Sequence, residues 1–138
     1  MKLLFLLSLL TSLIFAGELK IIVKNINPNQ GMMRLALWDG ANGFPKDYRT
    51  SIDQVSVSVT NEVEYTFSNL SKGSYAMAIF QDLNNDEDLN TNAIGIPQEP
   101  FGFTNNPRLL FGPPTFNKCR VQVPTNGTIT KTIYLKRL

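Results

Sequence analysis

The sequence of 138 residues contains no histidine and a single cysteine, Cys119. Without histidine the chain has no Ser-His or Cys-His relay, no imidazole ligand for zinc and no histidine pH switch. One cysteine forms no internal disulfide, so stability has to come from a hydrophobic core or from a core assisted by a metal ion. The net charge at pH 7 is only +2, so the chain as a whole lacks the strongly basic balance typical of nucleic-acid binding.

One long apolar run lies at the start of the chain. Met1 and Lys2 are followed by 14 almost wholly apolar residues, Leu3 to Ala16, and Ala16-Gly17 supplies small residues for cleavage. This is the layout of a secretory signal peptide, and the run is shorter than the ~18–20 residues of a bilayer-spanning helix. We therefore expect residues 1–16 to be a signal peptide and residues 17–138 to be one domain without a membrane span. The expected location is periplasmic or extracellular.

Apolar and polar residues alternate with period two in seven segments, which is the pattern of half-buried strands. No segment of the mature chain has an apolar stripe at helical spacing over ten residues. Turn residues separate the segments, and Asn126-Gly127 is the strongest hairpin signal. The pattern predicts an all-β fold, an antiparallel Greek-key sandwich of about seven strands with one long acidic loop. The apolar sets are Leu19, Ile21, Val23; Met33, Leu35, Leu37; Val55, Val57, Val59; Val63, Tyr65, Phe67; Tyr75, Met77, Ile79; Cys119, Val121, Val123; and Ile129, Ile133, Leu135.

The long loop begins at Asp82 and carries most of the candidate chemistry. From Gly73 to Pro107 there is no Lys or Arg, yet five of the eleven acidic residues lie there. Carboxylates this close repel one another, and a bound cation is one physical reason to keep them together. Oxygen-bearing side chains stand at alternate positions with apolar Leu89 near the end, as in EF-hand-type calcium loops.

The pattern predicts a calcium site, with magnesium disfavoured because many protein oxygens on a flexible loop suit a larger ion. Two elements of the EF-hand pattern are missing: Glu87 stands where glycine is preferred, and Ala93 where a bidentate glutamate is expected. Glu99 is the candidate for the missing carboxylate. The alternative is a surface turn rich in Asx residues that binds no metal. The predicted ligands are Asp82, Asn84, Asp86, Asp88, Asn90 and Glu99.

Phe101, Phe103, Phe111 and Phe116 follow the acidic stretch. Such aromatics form either a small core beneath the loop or an exposed platform for sugars or peptides, and we expect the core. Cys119 is expected to be a buried structural thiol on the apolar face of its strand.

Four motifs resemble those of an exported bacterial family catalogued as domain of unknown function 2141. They are Phe80-Gln81-Asp82-Leu83-Asn84, Gly95-Ile96-Pro97-Gln98-Glu99, Gly102-Phe103-Thr104-Asn105-Asn106 and Gly112-Pro113-Pro114-Thr115-Phe116. The resemblance covers roughly Leu19 to Leu135. It implies an exported sandwich, immunoglobulin-like or transthyretin-like and akin to carboxypeptidase-regulatory-like modules, without established activity. The family has His where this chain has Gln81, and Asn-Gly-Lys where it has Asp86-Glu87-Asp88.

Two function classes follow. The first is a non-catalytic binding or structural module of the cell envelope, with a calcium-stabilised loop and an envelope protein or a glycan as partner. The alternative is a small glycan hydrolase using Asp82 or Asp88 with Glu99, since glycosidases need two carboxylates across a sugar-sized cleft. A single small sandwich offers little concavity for such a cleft. We therefore expect the module, and assign no catalytic residues and no organic cofactor.

Overall fold

A computed structural model describes residues 16–138, so all of the predicted signal peptide except Ala16 lies outside the described residues. The regular secondary structure of the described chain is almost entirely strand, and the all-β prediction is confirmed. The strands are β1 (Gly17–Lys24), β2 (Met32–Trp38), β3 (Asp53–Ser58), β4 (Val63–Leu70), β5 (Gly73–Asp82), β6 (Phe101–Phe103), β7 (Val121–Val123) and β8 (Gly127–Tyr134); a 3-10 turn spans Tyr48–Thr50 and a one-turn helix, α1, spans Phe116–Cys119.

The strands form two sheets. One has the order β4-β1-β8, and the other has the order β3-β2-β5-β6. β7 also pairs with β5, next to Gly73–Tyr75, while β6 pairs with Ala78–Phe80 further along the same strand. The β1–β8 pair is parallel, whereas the sequence-based expectation was antiparallel throughout. Local alternation carries no information on strand direction, because both pairings place alternate side chains on the same face.

The inner faces of the two sheets supply one hydrophobic core. Alternate residues of β1, β2 and β5 point into this core, and apolar residues of β4, β7 and β8 complete it. Burial of these side chains in the sheet interior is the main stabilising contribution in a domain without disulfides. The core residues in the six strands named here are Leu19, Ile21, Val23, Met33, Leu35, Leu37, Val63, Phe67, Leu70, Tyr75, Met77, Ile79, Val121, Val123 and Ile133.

A second, smaller aromatic cluster lies on the outer face of the larger sheet. Trp38 packs edge-on against Phe44, which in turn contacts Phe103 and Phe116. The expected core beneath the long loop is therefore present for Phe103 and Phe116, and Phe101, which contacts Phe103, is buried as well. Phe111 differs, because it is 99% exposed.

Two local features differ from the sequence prediction. Cys119 is buried but ends α1 instead of lying in a strand, so β7 is only three residues long. β6 was not predicted, because its three residues are Phe-Gly-Phe and offer too few positions for alternation to be seen. Among residues 16–138, no helix has the length and apolar character needed to cross a bilayer.

Candidate metal centre

The acidic loop begins where β5 ends and closes where β6 begins. These strands pair antiparallel, and the backbone N–H of Gln81 donates to the Pro100 carbonyl at 2.8 Å. Asp82 follows the paired Gln81 and Glu99 precedes the paired Pro100, so they lie side by side in the same antiparallel register. The sheet therefore holds the two ends of the loop, residues 83–98, side by side.

The Asp82 carboxylate is fully buried and carries an ion pair. Its Oδ2 lies 3.0 Å from both Nε and Nη2 of Arg34 and accepts the Glu87 N–H at 2.9 Å. Its Oδ1 accepts the Asp86 N–H at 3.2 Å. The acidic segment has no Lys or Arg of its own, but β2 supplies one. The premise that these carboxylates lack a neutralising cation is therefore wrong for Asp82.

Glu99 reaches across the loop and fixes both of its sides. Oε2 accepts the Leu83 N–H at 2.7 Å, and Oε1 accepts the Asn90 N–H at 3.0 Å. The residue is 5% exposed. A carboxylate has about four lone-pair sites, so two backbone hydrogen bonds leave capacity for a further partner.

Asp86 is the exposed member of the group. Its Oδ1 accepts the Asp88 N–H at 3.1 Å, and its Oδ2 accepts from Asn84 Nδ2 at 3.1 Å. These hydrogen bonds, that of Asp88 first, hold the pKa of Asp86 below its usual value against a smaller opposing effect of burial. Hydrogen bonds to the charged form lower a carboxyl pKa because they stabilise the anion. Asp86 therefore stays ionised at neutral pH.

The Asn90 carboxamide lies against Asp86. One end of the amide is 2.8 and 3.3 Å from the two Asp86 carboxylate oxygens and 2.9 Å from the Asp88 carbonyl, and its other end is 3.0 Å from Asn84 Nδ2. With nitrogen at the first end, the amide donates to Asp86 and Asp88 and accepts from Asn84. With oxygen at that end, the Asn90 amide oxygen faces the Asp86 carboxylate and the Asp88 carbonyl, and no hydrogen bond joins them. Such a group of oxygens is favourable only around a cation.

Five of the six predicted ligands lie together. Asp82, Asp86 and Glu99 each place a carboxylate oxygen within 4.8 Å of the others, and Asn84 and Asn90 contact Asp86. Among the residues that the structure describes, this carboxylate group does not include Asp88. The pKa of Tyr48 is raised, by burial first and by the charge of Asp88 second.

A pocket of about 400 Å³ adjoins the loop on the outer face of the larger sheet. This volume is within the ~300–1,000 Å³ common for small-molecule sites. Aromatic rings and polar groups share its lining: Arg34, Leu35, Ala36, Tyr48, Gln54, Val55, Ser56, Phe80 and Glu87. Gln54 Nε2 donates to the Tyr48 carbonyl at 2.7 Å, which ties the edge strand to the 3-10 turn.

Comparison with known protein families gives one match. Residues 21–131 fit the family described as "Uncharacterized protein conserved in bacteria (DUF2141)". The chain belongs to DUF2141. The match covers most of the chain and includes every residue of the acidic loop, so the resemblance stated from the four motifs is confirmed. No curated protein and no solved structure matches this DUF2141 chain.

Arg34 is the site residue that the sequence did not reveal. It lies 48 positions before Asp82 along the chain, on a strand whose neighbours local alternation does not specify. In the sequence Arg34 is marked only as a charged residue between apolar Met33 and Leu35. This alternation places its side chain on the outer face of β2. In this DUF2141 protein it also donates to Ser56 Oγ at 2.8 Å and to Asn85 Oδ1 at 2.6 Å. Arg34 thereby links β2, β3 and the acidic loop.

Proposed function

We propose that this protein is a non-catalytic, exported β-sandwich module whose acidic loop binds one calcium ion. The observation that carries the proposal is the approach of Asp82, Asp86 and Glu99, whose carboxylate oxygens lie within 4.8 Å of one another. Calcium in proteins takes carboxylate, amide and main-chain oxygens on flexible loops. Export is supported by the apolar run from Leu3 to Ala16, which has the length and flanks of a signal peptide.

The charge of the cluster supports a divalent ion. Three carboxylates and the guanidinium of Arg34 give a local charge of −2 at neutral pH. Asp82 and Glu99 are already held by backbone N–H groups, so binding an ion does not require these two side chains to be ordered anew. A pre-positioned ligand loses less conformational entropy on binding.

The Asn90 amide changes its contacts when the ion binds. In the ion-free state its nitrogen donates to Asp86 and to the Asp88 carbonyl. Rotation of the amide brings its oxygen to the same position, where it joins Asp86 as a ligand. The ion then replaces hydrogen bonds within the loop, and Asn84, whose Nδ2 faces Asp86 and Asn90 in the ion-free state, rotates its amide as well and presents its oxygen.

The glycan-hydrolase alternative receives no support from the geometry. Asp82 and Glu99 are buried, and each accepts hydrogen bonds from backbone N–H groups. A general acid has to present a proton to the glycosidic oxygen, and the two carboxylates of a glycosidase flank a cleft that holds a sugar ring. Here the two carboxylates hold loop backbone between them. A glycan remains one of the two proposed partner classes, because the pocket beside the loop combines aromatic rings with hydrogen-bonding groups.

Calcium is expected to raise the melting temperature of the protein. At about 5 mM calcium and a dissociation constant of about 10⁻⁴–10⁻³ M, the stabilisation is about 1–2 kcal/mol. This corresponds to a shift of roughly 3–8 °C for a domain of this size. The measurement compares thermal melts in EDTA, calcium and magnesium. Equal melting temperatures in calcium and EDTA would overturn the proposal.

A matched pair of variants locates the site. Asp86→Asn and Glu87→Gln each remove one negative charge from adjacent exposed positions of the same loop, but only Asp86 belongs to the carboxylate group. Asp86→Asn is expected to lose most of the calcium shift, and Glu87→Gln to keep most of it. If the two variants lose the calcium shift equally, calcium responds only to the overall charge of the loop and not to the carboxylate group.

A further inference from the structure

An apolar loop projects from the molecule next to an unusually basic part of the chain. Leu110 is 66% exposed and Phe111 is 99% exposed, and together with Leu109 they form three consecutive apolar residues. Leu109 is half-buried, so the exposed part is the pair Leu110 and Phe111. Single exposed apolar residues are ordinary on protein surfaces, but adjacent exposed apolar residues commonly mark an interaction site. We call residues 108–113 the apolar tip.

Both ends of the apolar tip are fastened to the sandwich. Before it, Lys136 Nζ donates to the Pro107 carbonyl at 2.7 Å, and Asn106 Nδ2 donates to the Thr132 carbonyl at 2.9 Å. After it, Pro114 is buried. Proline restricts the backbone on both sides, so the apolar side chains are presented to solvent by a stiffened loop.

The chain around the apolar tip carries mainly positive charge, and the acidic residue that lies beside Pro113 and Pro114, Asp47, is paired with Arg49. Residues 108–138 contain six Lys or Arg and no Asp or Glu, whereas Gly73 to Pro107 has five acidic residues and no Lys or Arg. Contacts at the base of the loop bring the backbone of Lys118 and Arg120, and the ammonium group of Lys136, near the tip. Asn105 Nδ2 donates to the carbonyls of Lys118 and Arg120 at 3.3 and 2.9 Å, and Lys136 contacts Pro107. Arg108 itself begins the tip.

We propose that the apolar tip inserts into the surface of an anionic lipid bilayer. Exposed Leu and Phe side chains gain free energy by entering the acyl boundary, and nearby Lys and Arg are attracted to anionic headgroups. An acid-free basic segment around an apolar tip has the charge complementary to such a surface. The acidic loop, whose charge is opposite, is a separate part of the chain, so this contact is independent of the proposed calcium site.

The test places a tryptophan at the tip of the full-length chain. Phe111→Trp adds a reporter at an exposed position, while the native Trp38 is buried and gives a constant background. Ile94→Trp is the matched control, because Ile94 is 80% exposed but lies in the acidic loop. The probes are vesicles of phosphatidylcholine alone and vesicles with phosphatidylglycerol added. The signals are the emission wavelength and quenching by brominated lipid.

We expect the added indole of the Phe111→Trp variant to emit at shorter wavelength, and to be quenched, in vesicles that contain phosphatidylglycerol. The added indole of the Ile94→Trp variant is expected to stay at the wavelength of a water-exposed group. Because the reporter is local, attachment of the chain by any other segment does not produce the shift. A tip indole that remains water-like at every lipid composition, or an equal shift in the Ile94→Trp control, overturns the proposal.

The charge component is tested with Lys118→Gln and Arg120→Gln in the Phe111→Trp chain. Each cation near an anionic surface changes the binding constant about fivefold. With both substitutions, the lipid concentration that produces the same emission shift should therefore rise roughly ten to thirty times. No change in that lipid requirement overturns the electrostatic part. An emission shift of the Phe111→Trp variant that rises with protein concentration without vesicles would identify a second copy of the chain as the occupant and would overturn the proposal.

Discussion

Gln81 is a polar side chain in an otherwise apolar position of β5, and its hydrogen bonds explain why it is there. It is fully buried. Its Nε2 donates to the carbonyls of Asn27 and Gln30 at 2.7 and 2.8 Å, and its Oε1 accepts the Asn27 N–H at 2.8 Å. The side chain thus pairs three backbone groups of the β1–β2 connection. The histidine that the family resemblance implies here can make fewer hydrogen bonds than this amide.

Replacing Gln81 by leucine is expected to destabilise the protein by about 2–3 kcal/mol, because it leaves backbone groups of the connection without partners. Urea unfolding measures the change in the free energy of unfolding. Gln122→Leu is the control, since Gln122 is exposed and its side chain bonds to Ser74 Oγ. That variant is expected to change stability by less than about 0.5 kcal/mol. Equal losses in the two variants would contradict the structural role of Gln81.

Cys119 is expected to be chemically inert in the folded protein. Burial raises the pKa of its thiol to about 12, against a smaller lowering by Lys118. The reactive form is the thiolate, which at pH 8 is then about one part in 10⁴. A disulfide reagent should label the native protein slowly and the urea-unfolded protein stoichiometrically at pH 8. Rapid labelling of the native protein would contradict the burial of this side chain.

Among the connections between strands, the one between β1 and β2 depends on a glycine. Gly31 has a φ of +62°, and a Cβ at this position would lie 1.9 Å from the Asp82 carbonyl oxygen. The connection therefore packs against the end of β5 at a distance that only glycine permits. The backbone around Gly31 and Asp82 cannot move apart to admit a side chain without disturbing β5.

Gly31→Ala is expected to destabilise the protein by more than about 2 kcal/mol, through strain at positive φ and overlap with the backbone of β5. Gly95→Ala is the matched variant, because Gly95 has a φ of +83° but open space where its Cβ would lie. It should cost about 1 kcal/mol, from the backbone conformation alone. Denaturant unfolding of both variants separates overlap from conformational strain. Equal losses would mean that the connection can move.

Alternation predicted the long strands well, because their apolar residues face a single core. The predicted sets in β1, β2 and β5 all lie in the main core, although β5 is also buried on its outer face. The method fails for β6, whose central residue is Gly102, and for Cys119, which belongs to a single helical turn. Segments of three or four residues contain less than two periods of any pattern, and their conformation is set by the neighbours they pack against.

At the scale of the whole molecule, the candidate site shows which information local sequence lacks. The composition of the loop predicted that Asp82 to Asn90 would gather oxygens, and the structure places most of them together. The pairing of Asp82 with Arg34 depends on the register between β2 and β5, which aligns Met32 with Asp82. That register is a property of the sheet, so it was not accessible from either segment alone.

The whole chain also separates its charges. Acidic residues concentrate between β5 and β6, and basic residues concentrate after Pro107. A net charge of +2 conceals this separation, because the two groups nearly cancel in the sum. Screening at physiological salt acts over about 8 Å, so each group acts on its own surroundings. The segment between β5 and β6 and the segment after Pro107 therefore differ in charge by far more than the net value indicates.

The parallel pairing of β1 with β8 has a consequence for the order of folding. Gly17 lies beside Gly127 and Lys24 beside Tyr134, so the first and last strands are direct neighbours. β1 remains an edge strand until the final segment of the chain has been made, and the smaller sheet then has only β1 and β4. Contacts between such distant segments slow folding, because a long loop must close before they contribute any stability. We therefore expect the smaller sheet to form its third strand only once β8 has been made.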